Sequence, residues 1–408
     1  MEETLTAGKV QKLTLVDLIK VSLYIGATSY GGPAMFAQMK KKFVEGKRWI
    51  DEKDFLEALS FAQILPGATG LTVMAYIGYK LKNILGALII SFFFILPTFI
   101  AVVILSYAYF HFTGHSYITS IFTGLGALVV GLLINAVITL GKSVFPKISL
   151  KYYKGFLIAA FVFALSFWLK TNMVYLIIAA GILGFIFYYF TGEFEGISER
   201  KQGSSINVIS TGSSHRMIKY STFIITMLVI VILLLFLPAI SEIFISFFKI
   251  GLFSFGGGFN SIPLMQHETI DIRHWLTLKE FRDGIAMGQI TPGPVLITAT
   301  FIGYKVAGIT GAAAATAAIF SPSILLMILL YEAHSKLTKL LAVKVIVKGI
   351  LAGFIGLLVS TTIIFGMKSL FSWQTWTIFI LSSIALIKFK IDAVWIILVV
   401  VIVSLIIF

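Results

Sequence analysis

Long apolar stretches separated by short polar turns dominate the chain. They predict membrane-spanning helices at about 84–110, 117–141, 153–169, 172–191, 220–237, 307–330, 346–367, 373–387 and 391–408. An earlier helix is predicted over about 14–30, where Asp17 and Lys20, three apart, suit an intrahelical pair. Two further segments break the pattern. Each begins with an N-cap signature, Asp51 with Asp54 in one and Thr277 with Glu280 in the other. Each becomes apolar, stops at Pro66-Gly67 or Pro292-Gly293, and resumes as far as Lys80 or Lys305. Neither piece reaches the roughly 20 apolar residues that span a bilayer, so a re-entrant hairpin or a broken helix is expected.

The two segments belong to an internal duplication. Ser29-Tyr30-Gly31-Gly32, Arg48-Trp49, Gln63-Ile64-Leu65-Pro66-Gly67 and Ile77-Gly78-Tyr79-Lys80 return about 225 residues later. There they read Ser254-Phe255-Gly256-Gly257, His274-Trp275, Gln289-Ile290-Thr291-Pro292-Gly293 and Ile302-Gly303-Tyr304-Lys305. The organisation expected is an N-terminal repeat over 1–191, a polar cytoplasmic linker over 192–219, an extra span over 220–238 and a C-terminal repeat over 239–408.

The extra span would invert the second repeat, and lysine placement agrees. The loop at 111–116 has no Lys or Arg, while its counterpart at 331–348 has Lys336, Lys339, Lys344 and Lys348. Conversely the loop at 142–154 has Lys142, Lys147, Lys151 and Lys154, against Lys368 alone in its counterpart near 366–373. Basic loops stay cytoplasmic, so equivalent loops lie on opposite sides. The fold class is therefore an all-α polytopic membrane protein of two inverted repeats, each with a broken hairpin and about four further spans.

Composition fits that class: 58% of residues are hydrophobic, 12% charged, and the mean hydropathy is +0.99. The net charge of +14 is assigned to lysines facing lipid headgroups rather than to nucleic acid. With no cysteine there is no disulfide or thiolate chemistry, and the six histidines show no metal spacing. No phosphate loop, His-Glu-x-x-His or Gly-x-Ser-x-Gly motif points to a pump or an enzyme. No cofactor, metal or catalytic residue is expected. The partners expected are a small anion and the lipid bilayer, and a homodimer is compatible with the pattern.

Inverted repeats with matching breaks point to a secondary transporter with a midplane site. A helix restarting after a break presents backbone N–H groups and the positive end of its dipole, which suits an anion. The candidates for lining that site are Gly31, Gly32, Gln63, Pro66, Gly67, Ser254, Gly256, Gly257, Gln289, Thr291, Pro292 and Gly293. The glycine runs have tight helix contacts as their alternative, and Gln63 and Gln289 equally suit caps for freed carbonyls. Lys249 and Arg273 are candidates for charge balance, with snorkelling or an outer-loop position as the alternatives. Glu57 and Asp283, at equivalent places in the two hairpins, are candidates for proton coupling, or else lie on a solvated arm. Trp49 and Trp275 read as interfacial anchors.

Phe248-Lys249-Ile250-Gly251-Leu252-Phe253-Ser254-Phe255-Gly256-Gly257-Gly258, then Ile262-Pro263-Leu264, closely resembles the signature of the chromate ion transporter family. So do Gly288-Gln289-Ile290-Thr291-Pro292-Gly293-Pro294 and, in the first repeat, Ser29-Tyr30-Gly31-Gly32-Pro33 and Leu65-Pro66-Gly67. The resemblance covers nearly the whole chain as the long, two-domain form. It implies a secondary active exporter of chromate, or of a related tetrahedral oxyanion such as sulfate, across the cytoplasmic membrane of a bacterium or archaeon. Coupling to the proton gradient is what the family suggests. A passive anion channel and a lipid-modifying membrane enzyme remain as alternatives. The sequence departs from the family pattern at Tyr24, where a lysine is frequent, and at Pro66-Gly67-Ala68, where Pro-Gly-Pro is frequent.

Overall fold

A computed structural model of the chain describes residues 13–30, 32–112, 116–145, 152–169, 171–189, 238–337 and 340–408. The linker and the extra span expected over 192–219 and 220–238 lie outside the described residues, except for Pro238, as does Gly31. The first repeat is built from α1 (Leu15–Thr28), α2 (Gly32–Lys40), α3 (Glu52–Ile64), α4 (Thr69–Phe112), α5 (Ser116–Val144), α6 (Tyr153–Trp168) and α7 (Met173–Tyr189). The second repeats the order with α8 (Pro238–Phe253), α9 (Ser261–Gln266), α10 (Leu278–Ile290), α11 (Thr298–Leu330), α12 (Leu341–Ser369), α13 (Trp373–Ile387) and α14 (Ala393–Ile407). Among the described residues, the stretches around α4, α5, α11 and α12 are long and apolar enough to cross a membrane, and the protein is a multi-pass membrane protein. Its outer surface is apolar, with Trp373, Trp395 and Ile406 all prominently exposed, as lipid contact requires.

The duplication extends to individual dihedral angles. Arg48 and His274 both adopt a left-handed conformation, at φ 51° and 52°. Lys82-Asn83 and Ala307-Gly308 share an unusual pair of dihedrals, with φ 54° at Asn83 and 59° at Gly308. These are sharp reversals rather than gentle kinks. A Cβ on Gly78 would lie 2.4 Å from the Gly86 carbonyl oxygen, and one on Gly303 would lie 2.2 Å from that of Gly311. Eight residues along a straight helix would separate each pair by about 12 Å. Thr300 and Thr316 likewise share a 2.7 Å hydrogen bond across the second reversal. Each of α4 and α11 is therefore a helical hairpin, with a short arm (69–81; 298–306) and a long arm (84–112; 309–330).

The short arm also folds back on the helix before it. Lys80 pairs with Asp54, and at the matching place Lys305 Nζ lies 2.8 Å from Glu280 Oε1. Helix α3 and the short arm of α4 thus form a hairpin whose tip is Pro66-Gly67, and α10 with the short arm of α11 forms another at Pro292-Gly293. Thirteen helical residues reach only about 20 Å, short of the roughly 30 Å hydrocarbon core, so neither hairpin is long enough to span it.

The direction of the repeats follows from the long arm of α4. Its Thr98 meets Pro292 at the tip of the second hairpin, and its Tyr109 and Phe110 meet Phe301, with ring centroids 5.4 and 5.0 Å away. The long arm of α4 therefore runs parallel to the short arm of α11, and antiparallel to its own short arm. Equivalent arms of the two repeats point in opposite directions, so the repeats are inverted.

Helix starts follow the predicted chemistry, with two corrections. Thr277 and Glu280 form a complete capping box, whereas at the first hairpin Asp51 caps the Asp54 N–H at 2.7 Å and Asp54's own carboxylate turns to Lys80. Asp17 makes no pair with Lys20. It closes a capping box with Thr14, whose hydroxyl donates to it at 2.6 Å, because the helix's first N–H groups are a nearer demand.

Candidate functional site

The two hairpin tips are held by each other's repeat. The Gly67 N–H donates to the Ser254 carbonyl at 2.5 Å, and the Gly293 N–H donates to the Ser29 carbonyl at 2.7 Å. Each tip also docks on the residue after the proline of the opposite long arm. The Ala68 N–H donates to Ser323 Oγ at 2.9 Å, and Thr98 Oγ1 donates to the Pro292 carbonyl at 2.5 Å. Gly67 and Gly293 have φ of 106° and 120°, a region closed to most side chains. A Cβ on Gly67 would lie 2.0 Å from Ser323 Oγ, and one on Gly293 2.6 Å from Thr98 Oγ1. Glycine is required at both tips for backbone conformation and for close approach.

The structure brings Gly67 to Ser254 and Gly293 to Ser29, with Pro66, Pro292 and Thr291 on the adjoining turns. The N–H groups of Gly67 and Gly293 are already committed to carbonyls, so they clamp the crossing rather than facing a ligand. Gly256 and Gly257 have φ of 76° and 118°, and Gly256 is exposed while Ser254 is fully buried. Among the described residues Ser254 Oγ has no hydrogen-bond partner, whereas Ser29 Oγ donates to Gln38. Gln63 is exposed and Gln289 half-buried. The carbonyls that a glutamine cap would satisfy, Phe61 and Met287, accept instead from the Leu65 and Thr291 N–H groups. Gly32 opens α2 at the other break.

Lys249 has a carboxylate partner that sequence reasoning missed. Its Nζ lies 2.5 Å from Glu268 Oε2, whose other oxygen accepts from Ser246 Oγ at 2.8 Å and lies 3.4 Å from Arg273 Nε. Arg273 also reaches Glu242 at 3.2 Å. Lys249 and Arg273 thus belong to one network around the buried Glu268. The first repeat holds Tyr24 where the second has Lys249, and Lys42 where it has Glu268; there Lys42 Nζ stands over the Tyr24 ring at 4.0 Å. The acidic partner is one repeat's private feature, so the duplication gave no signal for it.

The two coupling candidates sit near the open ends of opposite hairpins. Asp283 is 1% exposed; Tyr109 Oη donates to it at 2.9 Å, and the Arg282 guanidinium lies 3.4 Å away. Glu57 is half-buried, with His334 Nε2 at 3.7 Å. Tyr109 and His334 are themselves equivalent residues, one near the end of the long arm of α4 and the other just beyond the long arm of α11. Equivalent carboxylates therefore meet equivalent, but chemically different, partners. The solvated-arm alternative does not describe Asp283. Among the described residues no group of acidic and histidine side chains could hold a metal ion.

The model of the chromate transporter family matches residues 16–185 and 241–405. The chain belongs to the chromate transporter family. The transporter is 32% identical to an uncharacterized transporter of Methanocaldococcus jannaschii over 95% of this chain and 94% of that protein. It is 31% identical to a chromate transport protein of Cupriavidus metallidurans over 95% of this chain and 92% of that one. A probable chromate transport protein of Synechococcus elongatus is 28% identical over 92% and 90% of the two chains. No solved structure matches the transporter. The family is one of transporters, which points away from a lipid-modifying enzyme. Both matched regions contain one hairpin tip and one carboxylate site.

Proposed function

We propose that this protein is a secondary active exporter of chromate, or of a related tetrahedral dianion such as sulfate, in the cytoplasmic membrane of a bacterium or archaeon. The observation that carries the reading is the reciprocal clamp of the two hairpin tips, Gly67 on Ser254 and Gly293 on Ser29. Broken helix ends lie beside each of these contacts, and the Ser254 hydroxyl beside one of them is unpaired, so dipoles and hydroxyls there can replace part of an anion's hydration. Full ammonium or guanidinium charges directly at the crossing are not needed for this. Substrate contacts are assigned to Ser254, Gly256, Gly257, Thr291 and the Gly31-Gly32 break, with Gln63 and Gln289 beside them. Lys249 and Arg273 supply a positive rim whose strength Glu268 sets.

Proton coupling is assigned to Asp283 and Glu57. A proton carried by one of these buried or half-buried carboxylates changes the local charge by one unit on one side of the clamp. Rocking of one repeat against the other, with the clamp as fulcrum, would alternate access. The test is chromate uptake into inside-out vesicles containing the protein, with and without an imposed proton gradient. Gradient-driven accumulation, competed by sulfate, is expected. Uptake that only follows the chromate gradient would make the protein a channel, and no uptake by folded protein would remove chromate as substrate.

A further inference from the structure

Beside the open end of the second hairpin, α10, α12 and α5 border a half-open pocket of about 400 Å³, polar at Lys279, Arg282, Lys368, Thr123 and Ser369 and apolar at Leu278, Phe365 and Phe371. We propose that this cavity is a vestibule that binds a doubly charged tetrahedral oxyanion, separate from the crossing of the hairpin tips. The choice of anion rests on the reading of the protein as an oxyanion transporter; the existence of the site does not.

Charge carries the argument. Arg282 is 8% exposed, and its Nη1 donates to Ser369 Oγ at 2.9 Å. Its Nε and Nη2 reach Asp283 Oδ1 only at 3.4 Å, and Asp283 already accepts from Tyr109. A Cβ on Gly126 of α5 would lie 2.5 Å from the guanidinium carbon, so the glycine makes room for this arginine. Lys279 and Lys368 are exposed at the cavity and, among the described residues, belong to no ion pair. The next carboxylate along α10, Glu280, is taken by Lys305. Three cations face one carboxylate, and two positive charges are left uncompensated.

A buried guanidinium with the Ser369 hydroxyl beside it supplies the planar donors and the short hydroxyl contact that a tetrahedral dianion takes, while the Thr123 hydroxyl donates to the Thr119 carbonyl at 2.7 Å and only lines the wall. A water occupies about 30 Å³ of liquid, so a cavity of this size admits the anion with part of its hydration shell. Arg282 lies nine residues before Thr291, about 14 Å along the helix. The vestibule is thus a second stop on one side of the clamp. It would concentrate the anion there by charge.

The absence of cysteine makes the test direct. In full-length protein carrying only Thr123→Cys, in detergent, the rate of modification is compared between anionic and cationic methanethiosulfonate reagents. The probe is sulfate, since chromate oxidises thiols. Relative to a free thiol, the anionic reagent should be favoured about tenfold. Sulfate should slow it saturably, and chloride at equal ionic strength should not. Adding Lys279→Gln with Lys368→Gln, both exposed positions, should abolish the preference and the protection. Equal slowing by sulfate and chloride, or protection that survives the double substitution, would overturn the proposal. So would protection by phosphatidylglycerol vesicles without sulfate, where phosphatidylcholine gives none, since the occupant would then be a lipid headgroup. Chromate flux in the unsubstituted protein is read separately. Its failure with sulfate protection intact would sink the transport assignment and leave the vestibule standing.

Discussion

Tyr109, near the end of the first repeat's long arm, donates a 2.9 Å hydrogen bond to Asp283 of the second repeat's hairpin. The bond joins the proposed coupling carboxylate of one repeat to the transmembrane arm of the other, so a change in the charge of Asp283 is felt directly at the boundary between them. Asp283→Asn should abolish gradient-driven chromate uptake while leaving chromate–chromate exchange in place. Glu57→Gln, at the more accessible equivalent site, should reduce gradient-driven uptake less. If both variants keep full gradient dependence, the coupling assignment is wrong.

Tyr109→Phe removes the donor and leaves a buried carboxylate oxygen short of a partner. We expect a loss of about 1–3 kcal/mol in stability. It should appear as a lower melting temperature in detergent and be absent in a Tyr109→Phe/Asp283→Asn background, where no charge needs the bond. An additive double variant would show that the two residues are not coupled.

Gly67→Ala and Gly293→Ala each put a methyl group into the opposite repeat at a φ closed to alanine. Each should cost about 1–3 kcal/mol from backbone strain alone, with the clash added. Chromate flux per folded molecule should fall in both. Wild-type flux from either variant would show that the clamp is not needed for the cycle.

Lys249→Met leaves Glu268 with a diminished set of counter-charges in a buried position. The single variant should be less stable than Lys249→Met/Glu268→Gln, because removing one member of a buried pair costs more than removing both. If instead the double variant is as stable as wild type but does not bind chromate, the network serves the anion rather than the fold. Melting curves with and without chromate separate the two.

The reversal at Lys82-Asn83 places a non-glycine residue at φ 54°, where its equivalent is Gly308. Asn83→Gly should be tolerated or mildly stabilising, and Asn83→Val should cost about 1–2 kcal/mol. A valine variant with an unchanged melting temperature would contradict the left-handed assignment.

Much of this architecture was legible in the chain. The repeated Pro-Gly breaks, the N-cap residues and the shortness of each piece gave the hairpins, because each signature is local. The loop lysines gave the inversion, which the antiparallel arms bear out. The contacts that bind the halves were not legible. Ser254 and Ser29 act through backbone carbonyls, which no side-chain pattern reports. Glu268 has Lys42 as its counterpart, so looking for identical residues hides it. Tyr109 and His334 share one place in the repeat and could have been found by asking what faces Glu57 and Asp283. Arg282 stood next to Asp283 in plain view, but its equivalent is Leu56, and the duplication drew attention away from it.

The reciprocal clamp also sets an order of assembly. Gly67 is synthesised about 190 residues before Ser254 and about 250 before Ser323, the two groups that hold it. At about 5–20 residues per second, that interval lasts on the order of ten to fifty seconds. Throughout it the first hairpin has no partner for its tip, and an unpaired amide is not stable in hydrocarbon. The tip must stay wet or sheltered by the insertion machinery until the second half arrives. A nascent chain halted at the linker should therefore expose 65–68 to proteases or water-borne reagents that cannot reach it in the finished protein.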